Sequence, residues 1–418
     1  MKFALVQPNW EFAGSTYFGC RDTHVPLELL YARQQLELAG QETLLLDAHL
    51  EDMAPAQAAA RIAGFAPDLL VLTTAPTYLF WRCPQPELRL PAQWLRALRR
   101  GLAPGGATVA IGPHGSATPG AVLAKLGCDV VVQGEPEQVL PQLARGGARL
   151  PPGPHQAALE GLGALDWRGY PLERRRHRHH VFGGEGRGAE VEASRGCPWS
   201  CTFCNKTLFR NRFRERPVQA VLADVEHLAR QGFDYAYFID EIFGCGLHTA
   251  ALLEGLAALP VRFGIQTRMD LWNEDSLAAL GRAGCISIEC GIESVTAAGR
   301  ARFRKGCRLD NARLESLLIA ARRHVPWVQA NLIAGAEDDR EAIAGWRAAL
   351  IARGVWVSQP VPVFAYPGTP LYASLFGPPD DLAWERAHRH YLGANQASGY
   401  SDIQDARPAA LTELESAA

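Results

Sequence analysis

Two long stretches of this chain alternate short apolar runs with helically spaced ones, and that alternation restricts the fold more than any other feature. In residues 1–147 the strand-like runs are Phe3 to Gln7, Thr43 to Leu46, Leu69 to Thr73, Thr108 to Ile111 and Asp129 to Val132. Helical spacing is read over Leu27 to Ala39, 55–64, 91–102 and 120–126. Parallel strands need long crossovers, usually helices, so the alternation predicts a parallel sheet covered on both faces. Ligands of such a sheet bind outside the carboxyl ends of its strands. The loops there contain Asn9 and Trp10, Thr74 and Thr77, Gly112, Pro113 and His114, and Gly134 and Glu135. These are candidate contacts of a nucleotide- or cofactor-sized ligand on a flavodoxin-like (Rossmann-type) domain, and the fold alone does not choose the ligand.

Residues 190–375 repeat the alternation with a difference. Six runs are strand-like, 190–195, 235–241, 262–269, 285–292, 328–334 and 356–364. In the fourth, Ile286, Ile288, Cys290 and Ile292 fall on one face and Ser287, Glu289, Gly291 and Glu293 on the other. Gln266, Arg268 and Asp270 share a face in the third run, Gln329 and Asn331 in the fifth, and Glu190, Glu192 and Ser194 in the first. A sheet buried on both faces would be apolar on both. A recurring polar face predicts a partial (β/α)6 barrel with a reaction chamber inside. Residues 148–189, rich in Pro, Gly and Arg, are expected to be a linker containing the basic run Arg174 to His180. Residues 376–418 are expected to be a tail with one helix over 381–393.

Between the first and second barrel runs lies Cys197-Pro198-Trp199-Ser200-Cys201-Thr202-Phe203-Cys204. Three thiols within eight residues can converge on one metal centre, and soft thiolates suit zinc or an iron–sulfur cluster. Structural zinc wants four protein ligands. No second pair of Cys or His follows at a suitable spacing, which favours a [4Fe–4S] cluster with one iron open to a small molecule.

Composition narrows the setting. A net charge of −2 over 418 residues provides no global field for nucleic acid or an anionic membrane. No apolar run approaches the ~20 residues that span a bilayer. The start of the chain, broken at Pro8, does not read as a signal peptide. Ten scattered cysteines do not form a disulfide framework and point to a reducing cytoplasm. The seven outside the triad, Cys20, Cys83, Cys128, Cys245, Cys285, Cys290 and Cys307, are expected to be small buried hydrophobes. His49, after the second strand, is expected in a solvated loop.

The Cys spacing, with Phe203 before the last Cys, resembles the motif of the radical SAM superfamily. Gly112-Pro113-His114 and Gly134-Glu135-Pro136-Glu137 resemble the turns of the cobalamin-binding domain that precedes many radical SAM barrels. Tyr366-Pro367-Gly368-Thr369-Pro370-Leu371-Tyr372 is similar to an element common after such barrels. Together the likeness is to cobalamin-dependent radical SAM enzymes, the class B radical SAM methyltransferases, over residues 1–375. It implies Cys197, Cys201 and Cys204 on a [4Fe–4S] cluster whose open iron chelates S-adenosylmethionine (SAM). Asp240 or Glu241 would meet the SAM amino group, and Glu293 and Ser294 would lie near its ribose. Gln266 and Arg268 would meet ribose or carboxylate, with Glu289, Asn331 and Phe203 also around SAM. Cobalamin would bind base-off without a protein His ligand, because the D-x-H-x-x-G pattern of His-ligated domains is missing after the first strand.

The resemblance further implies cleavage of SAM to a 5′-deoxyadenosyl radical and methyl transfer through methylcobalamin to an unactivated carbon of a small molecule. An external donor such as flavodoxin or ferredoxin would supply electrons. Rearrangement or cyclisation, aminocarboxypropyl transfer, and a cluster-based sensor or electron-transfer protein remain as alternatives.

Overall fold

The computed structural model describes residues 1–10, 23–76, 88–146, 150, 152–175, 187–335 and 337–398. Thr77, Cys20, Cys83 and residues 176–180 of the basic run lie outside them.

The first half follows the predicted alternation: β1 (Lys2–Gln7), α1 (Leu27–Leu38), β2 (Glu42–Asp47), α2 (Pro55–Phe65), β3 (Leu69–Thr73), α3 (Arg89–Leu98), β4 (Ala107–Ile111), α4 (Pro113–Ala117), α5 (Pro119–Leu126), β5 (Val130–Val132) and α6 (Leu140–Gly146). The strands form one parallel sheet in the order β2-β1-β3-β4-β5, the flavodoxin-like winding. Side chains alternate across it. Phe3, Leu5, Val71, Val109 and Ile111 pack with α1 and α6 on one face. Ala4, Val6, Leu70, Leu72 and Ala110 pack with α2, α3 and α5 on the other.

The second half runs β6 (Gly188–Val191), β7 (Ser194–Arg195), β8 (Arg214–Glu215), α7 (Val218–Arg230), β9 (Tyr235–Phe238), α8 (Thr249–Ala257), β10 (Arg262–Thr267), α9 (Glu274–Arg282), β11 (Cys285–Glu293), α10 (Ala297–Arg302), α11 (Asn311–His324), β12 (Trp327–Leu332), α12 (Arg340–Ile351), β13 (Trp356–Val357), α13 (Pro370–Phe376) and α14 (Ala383–Ser398). Six parallel strands lie in the order β13-β12-β11-β10-β9-β6. The first predicted run divides: β6 stays in the sheet, while β7 turns out to pair antiparallel with β8. The last run is also shorter than expected. Beyond β13 only an isolated Ile333–Val361 bridge continues, because Pro360 and Pro362 carry no N–H for a ladder.

The connecting segment is not solvated throughout. Ala157, Leu159, Leu162, Leu165, Trp167, Tyr170 and Leu172 join the core formed by the barrel strands and helices. They lie on a strap with two 3-10 turns, Leu159–Gly161 and Leu172–Arg174, so their spacing matches neither period 2 nor 3.6. Arg175 of the basic run is buried as well. Its guanidinium donates to both carboxylate oxygens of Glu190 on β6, at 2.6 Å each. His49, expected in solvent, is buried at 5% exposure. Among the described residues no helix is long and apolar enough to cross a membrane.

Candidate active site

The three thiols sit on the loop between β7 and β8, and its neighbours hold the loop from several sides. Gly196 has φ +82°, and a β-carbon there would lie 2.0 Å from the Arg212 carbonyl oxygen, so the turn into Cys197 requires glycine. Its N–H donates to Glu241 Oε2 at 2.7 Å. Lys206 Nζ reaches back to the carbonyls of Cys197 and Trp199, both at 3.0 Å. The Thr202 N–H donates to Phe303 O and its carbonyl accepts from the Leu371 N–H, each at 3.0 Å. Phe203 meets Phe303 edge-on at 5.6 Å.

Cys197 is buried, while Cys201 and Cys204 are partly exposed. The surrounding protein pushes the Cys204 thiol up to about 12 against the pull of Lys206. It raises Cys201 too, against Lys305. Cations around these two thiols, Lys206, Lys305 and Arg268, suit an anionic centre. Among the described residues no three His, Cys, Asp or Glu side chains close on a single ion, so Cys197, Cys201 and Cys204 share one loop without their thiols closing on one point.

The barrel interior beside this loop carries the predicted polar layer. Gln266, Glu289 and Gln329 are neighbours in register across β10, β11 and β12. Gln266 Nε2 donates to Glu289 Oε2 at 3.0 Å and to the Tyr237 hydroxyl at 2.6 Å. Gln329 Nε2 donates to Asn331 Oδ1 at 2.8 Å. Gln266, Glu289, Gly291, Glu293 and Asn331 are partly exposed, while the alternate residues of β11 are buried. Glu293 ends β11 at φ +70°, a backbone state costing a non-glycine about 1–3 kcal/mol. Its carboxylate is held at 2.8 Å by Lys305 Nζ. Arg268 donates to Asp270 at 2.9 and 2.6 Å and lies 4.1 Å over the Trp199 ring. Ser294 is fully buried and its hydroxyl donates to Asp338 at 2.8 Å, so it secures a loop instead of lining the chamber.

Asp240 and Glu241 also turn to the cluster loop. Asp240 accepts from the Ala193 N–H at 3.1 Å and from the Ser194 hydroxyl, and burial raises it to about 7. Glu241 accepts from Gly196 and, at 2.7 Å, from Arg210. Arg210 continues to Glu135 at 2.9 Å. Glu135 takes Arg214 as well, at 2.7 Å, and Arg195 pairs with Glu137 at 2.6 Å and Glu192 at 2.8 Å. Glu135, expected to touch a ligand of the first domain, is instead 1% exposed and committed to barrel arginines. Gly134 is closed off too: a β-carbon there would lie 2.2 Å from His155 O.

At the carboxyl ends of the first sheet, the β1 and β3 loops meet α4. Gly112 has φ +132°, Pro113 opens α4, and buried His114 Nδ1 lies 3.1 Å from the Thr74 hydroxyl. Trp384 of α14 covers His114 at 4.3 Å between ring centroids and donates to Thr118 at 2.8 Å. Asn9 reaches Asp52 at 3.2 Å. Trp10 and Thr73 are buried at 0% and 1% exposure. Trp10 Nε1 and Thr73 Oγ1 have no hydrogen-bond partner among the described residues.

Residues 191–346 match the family model of the Radical SAM superfamily. The barrel is a radical SAM domain. Bacteriochlorophyllide d C-12(1)-methyltransferase of Chlorobaculum tepidum is 28% identical over 217 residues, 48% of this chain and 46% of that protein. Hopanoid C-3 methylase of Methylococcus capsulatus is 30% identical over 159 residues, 37% of this chain and 30% of the relative. The chain thus spans less than half the length of either curated relative. The fold as a whole is that of the radical S-adenosylmethionine methyltransferase TsrM from Kitasatospora setae, whose structure holds cobalamin and a [4Fe-4S] cluster. The TM-score is 0.69 at 19% identity, over 88% of this chain and 76% of that one.

A radical SAM domain takes a [4Fe–4S] cluster and SAM, and the thiol loop with its cationic surround fits that cluster. The orphaned polar atoms of Trp10 and Thr73 and the Thr74–His114 pair fit a polar cofactor at the switch point of the first sheet. Four residues of the site were not foreseen: Tyr237, Lys206, Lys305 and Arg210. Tyr237 was legible as a side chain one strand over from Gln266. Lys206 acts on backbone carbonyls, Lys305 on Glu293 from the turn after α10 and Arg210 across domains, none of which spacing reveals.

Proposed function

We propose that this chain is a cobalamin-dependent radical SAM methyltransferase that acts on an unactivated carbon of a small molecule. The observation that carries the reading is the tie between the two halves. Glu241 holds both Gly196 of the cluster loop and Arg210, and Arg210 holds Glu135 after β5. A cofactor on the first sheet and a cluster on the barrel would thereby face one chamber. When bound, the cluster supplies the electron that opens the SAM sulfonium, and cobalamin serves as the methyl carrier.

Cys197, Cys201 and Cys204 would hold the cluster as thiolates, with Lys206 and Lys305 offsetting its charge. Gln266, Glu289, Glu293 and Asn331 would orient SAM, and the buried carboxylates Asp240 and Glu241 fix the loop geometry beneath it. Trp10, Thr73, Thr74 and His114 would hold cobalamin, base-off and without a His ligand. Their burial keeps water from the shared chamber. The protein would work in a reducing cytoplasm with an outside electron donor.

Anaerobic reconstitution with SAM and a reductant tests this reading. Formation of 5′-deoxyadenosine together with S-adenosylhomocysteine is expected. Methylthioadenosine would instead indicate aminocarboxypropyl transfer, and 5′-deoxyadenosine alone a rearrangement or cyclisation. Absence of all these products overturns the enzyme reading. A missing cobalamin absorption band after reconstitution removes the assignment of the first domain.

A further inference from the structure

The segment Arg302-Phe303-Arg304-Lys305-Gly306-Cys307-Arg308 lies directly on the cluster loop. Phe303 O accepts from the Thr202 N–H at 3.0 Å, its ring meets Phe203, and a β-carbon at Gly306 would lie 3.0 Å from Trp199. The segment has two faces. Phe303 and Lys305 point inward and are buried, while Arg302, Arg304, Gly306 and Arg308 are exposed. Arg304 has φ +51°, a left-handed turn that interrupts the regular path between the two buried neighbours.

The nearby acids are already engaged. Glu337 pairs with Arg302, and Asp310 accepts from the Arg313 N–H as the cap of α11. Neither Arg304 nor Arg308 has a carboxylate partner among the described residues. Other exposed arginines, Arg96 and Arg100 among them, also have no carboxylate partner among the described residues; what sets Arg304 and Arg308 apart is that their segment packs on the cluster loop. Pro198 and Ser200 are exposed beside them, and Cys201 and Cys204 are partly exposed. The cluster loop therefore comes to the surface at this place.

On the reading proposed above, each SAM cleavage consumes one electron from outside. We propose that Arg304 and Arg308 form the docking surface for a small acidic one-electron carrier protein with a reduced flavin or iron–sulfur centre. In the step it serves, the carrier loses one electron and the cluster gains one, with no bond or proton transferred. Electron-transfer encounters use small, weak interfaces. For these, complementary charge raises the association rate more than it raises affinity. A pair of unpaired guanidinium groups next to the redox centre supplies that complementarity, and the carrier's acidic surface is what would recognise it.

The test is anaerobic stopped-flow bleaching of the reconstituted holoenzyme by two reductants, a reduced acidic flavodoxin and dithionite. The double variant Arg304→Glu/Arg308→Glu is compared with wild type. Arg96→Glu/Arg100→Glu, exposed on the first domain, is the charge-matched control. Flavodoxin reduction of the double variant is expected to slow by about 10-fold or more at low salt. Between about 50 and 500 mM salt the wild-type rate should fall steeply while the variant's barely changes. Dithionite, too small to need docking, should bleach all three proteins alike. A double variant reduced by flavodoxin as fast as wild type or the control overturns the docking surface alone. A wild-type protein with no dithionite-reducible cluster overturns the functional reading, and this inference with it.

Discussion

In the first sheet, β3 is buried along its whole length and apolar on both faces except for Thr73 at its end. In the second, β11 alternates, with Glu289, Gly291 and Glu293 open to the chamber and Ile288, Cys290 and Ile292 closed in the core. Both sheets are parallel and both are wound with helices, yet they offer ligands different things. The open sheet has helices on both faces, so only its strand-end loops can reach a ligand. The partial barrel has helices outside and a partly exposed polar face within, so the strands themselves present side chains. On the proposed function, one half would recognise with loops, the other with a polar lattice in strand register.

The largest effect expected from separating the halves falls on the cluster loop. Cys201→Ala or Cys204→Ala should remove the iron–sulfur absorption and lower bound iron to background, with 5′-deoxyadenosine formation lost by more than about 100-fold. Cobalamin uptake should persist in these variants. Trp10→Ala should do the reverse, weakening the cobalamin band and leaving the cluster spectrum intact. Loss of both groups in either variant would show that the two sites do not assemble independently.

Much of this was legible in the chain, and the reasons differ by region. Periodicity located nearly every strand of both sheets because apolar burial imposes it directly; Leu69–Thr73 was read to the residue. Polar alternation marked Gln266, Glu289, Glu293 and Asn331 because strand geometry alone decides which face they share. The seam was not legible. Glu135 and Glu137 read as ligand contacts of the first domain, but their partners, Arg195 and Arg210, are more than fifty residues away on another sheet's loop. The strap over 157–172 was missed because its apolar residues follow irregular turns. His49 and Arg175 were placed in solvent because a polar residue's burial depends on a distant partner, Glu190 in the case of Arg175.

Stability provides the next comparison. Val71 is 0% exposed and central to the first sheet, so Val71→Asp buries an unpaired carboxylate and should cost about 4 kcal/mol or more, seen as a collapse in the urea midpoint. Glu289→Gln keeps size and hydrogen bonding in a partly exposed layer and should shift the midpoint by less than about 0.5 kcal/mol, while raising the KM for SAM. Comparable losses from both would remove the distinction between a sealed sheet and an open one. At the seam, Arg210→Met should cost about 3 kcal/mol by leaving Glu135 and Glu241 short of a cation. Because Glu241 also holds Gly196, that variant should broaden the cluster's electron paramagnetic resonance signal, which a purely stabilising residue would not do.

The smallest expected effect concerns protons at the same seam. Glu28 on α1 is 1% exposed. Burial lifts its carboxyl from an ordinary 4.5 to about 7, against the pull of Arg210 and with a push from Glu192. The folded protein then keeps this proton up to about pH 7, while the unfolded chain releases it near its ordinary value. Between those limits the folded state binds more protons, so stability is full below the unfolded value, falls as pH rises to about 7, and is level beyond. A shift of that size is worth at most about 3 kcal/mol. Glu28→Gln keeps the shape and removes the ionisation, so its unfolding free energy should decline by about 1–3 kcal/mol less than wild type between pH 5 and 8. Some slope should remain, because burial also raises Asp47 to about 6 and Asp240 to about 7. Identical slopes in variant and wild type would mean that Arg210 keeps Glu28 ionised in the native protein, adding one further buried negative charge to the seam.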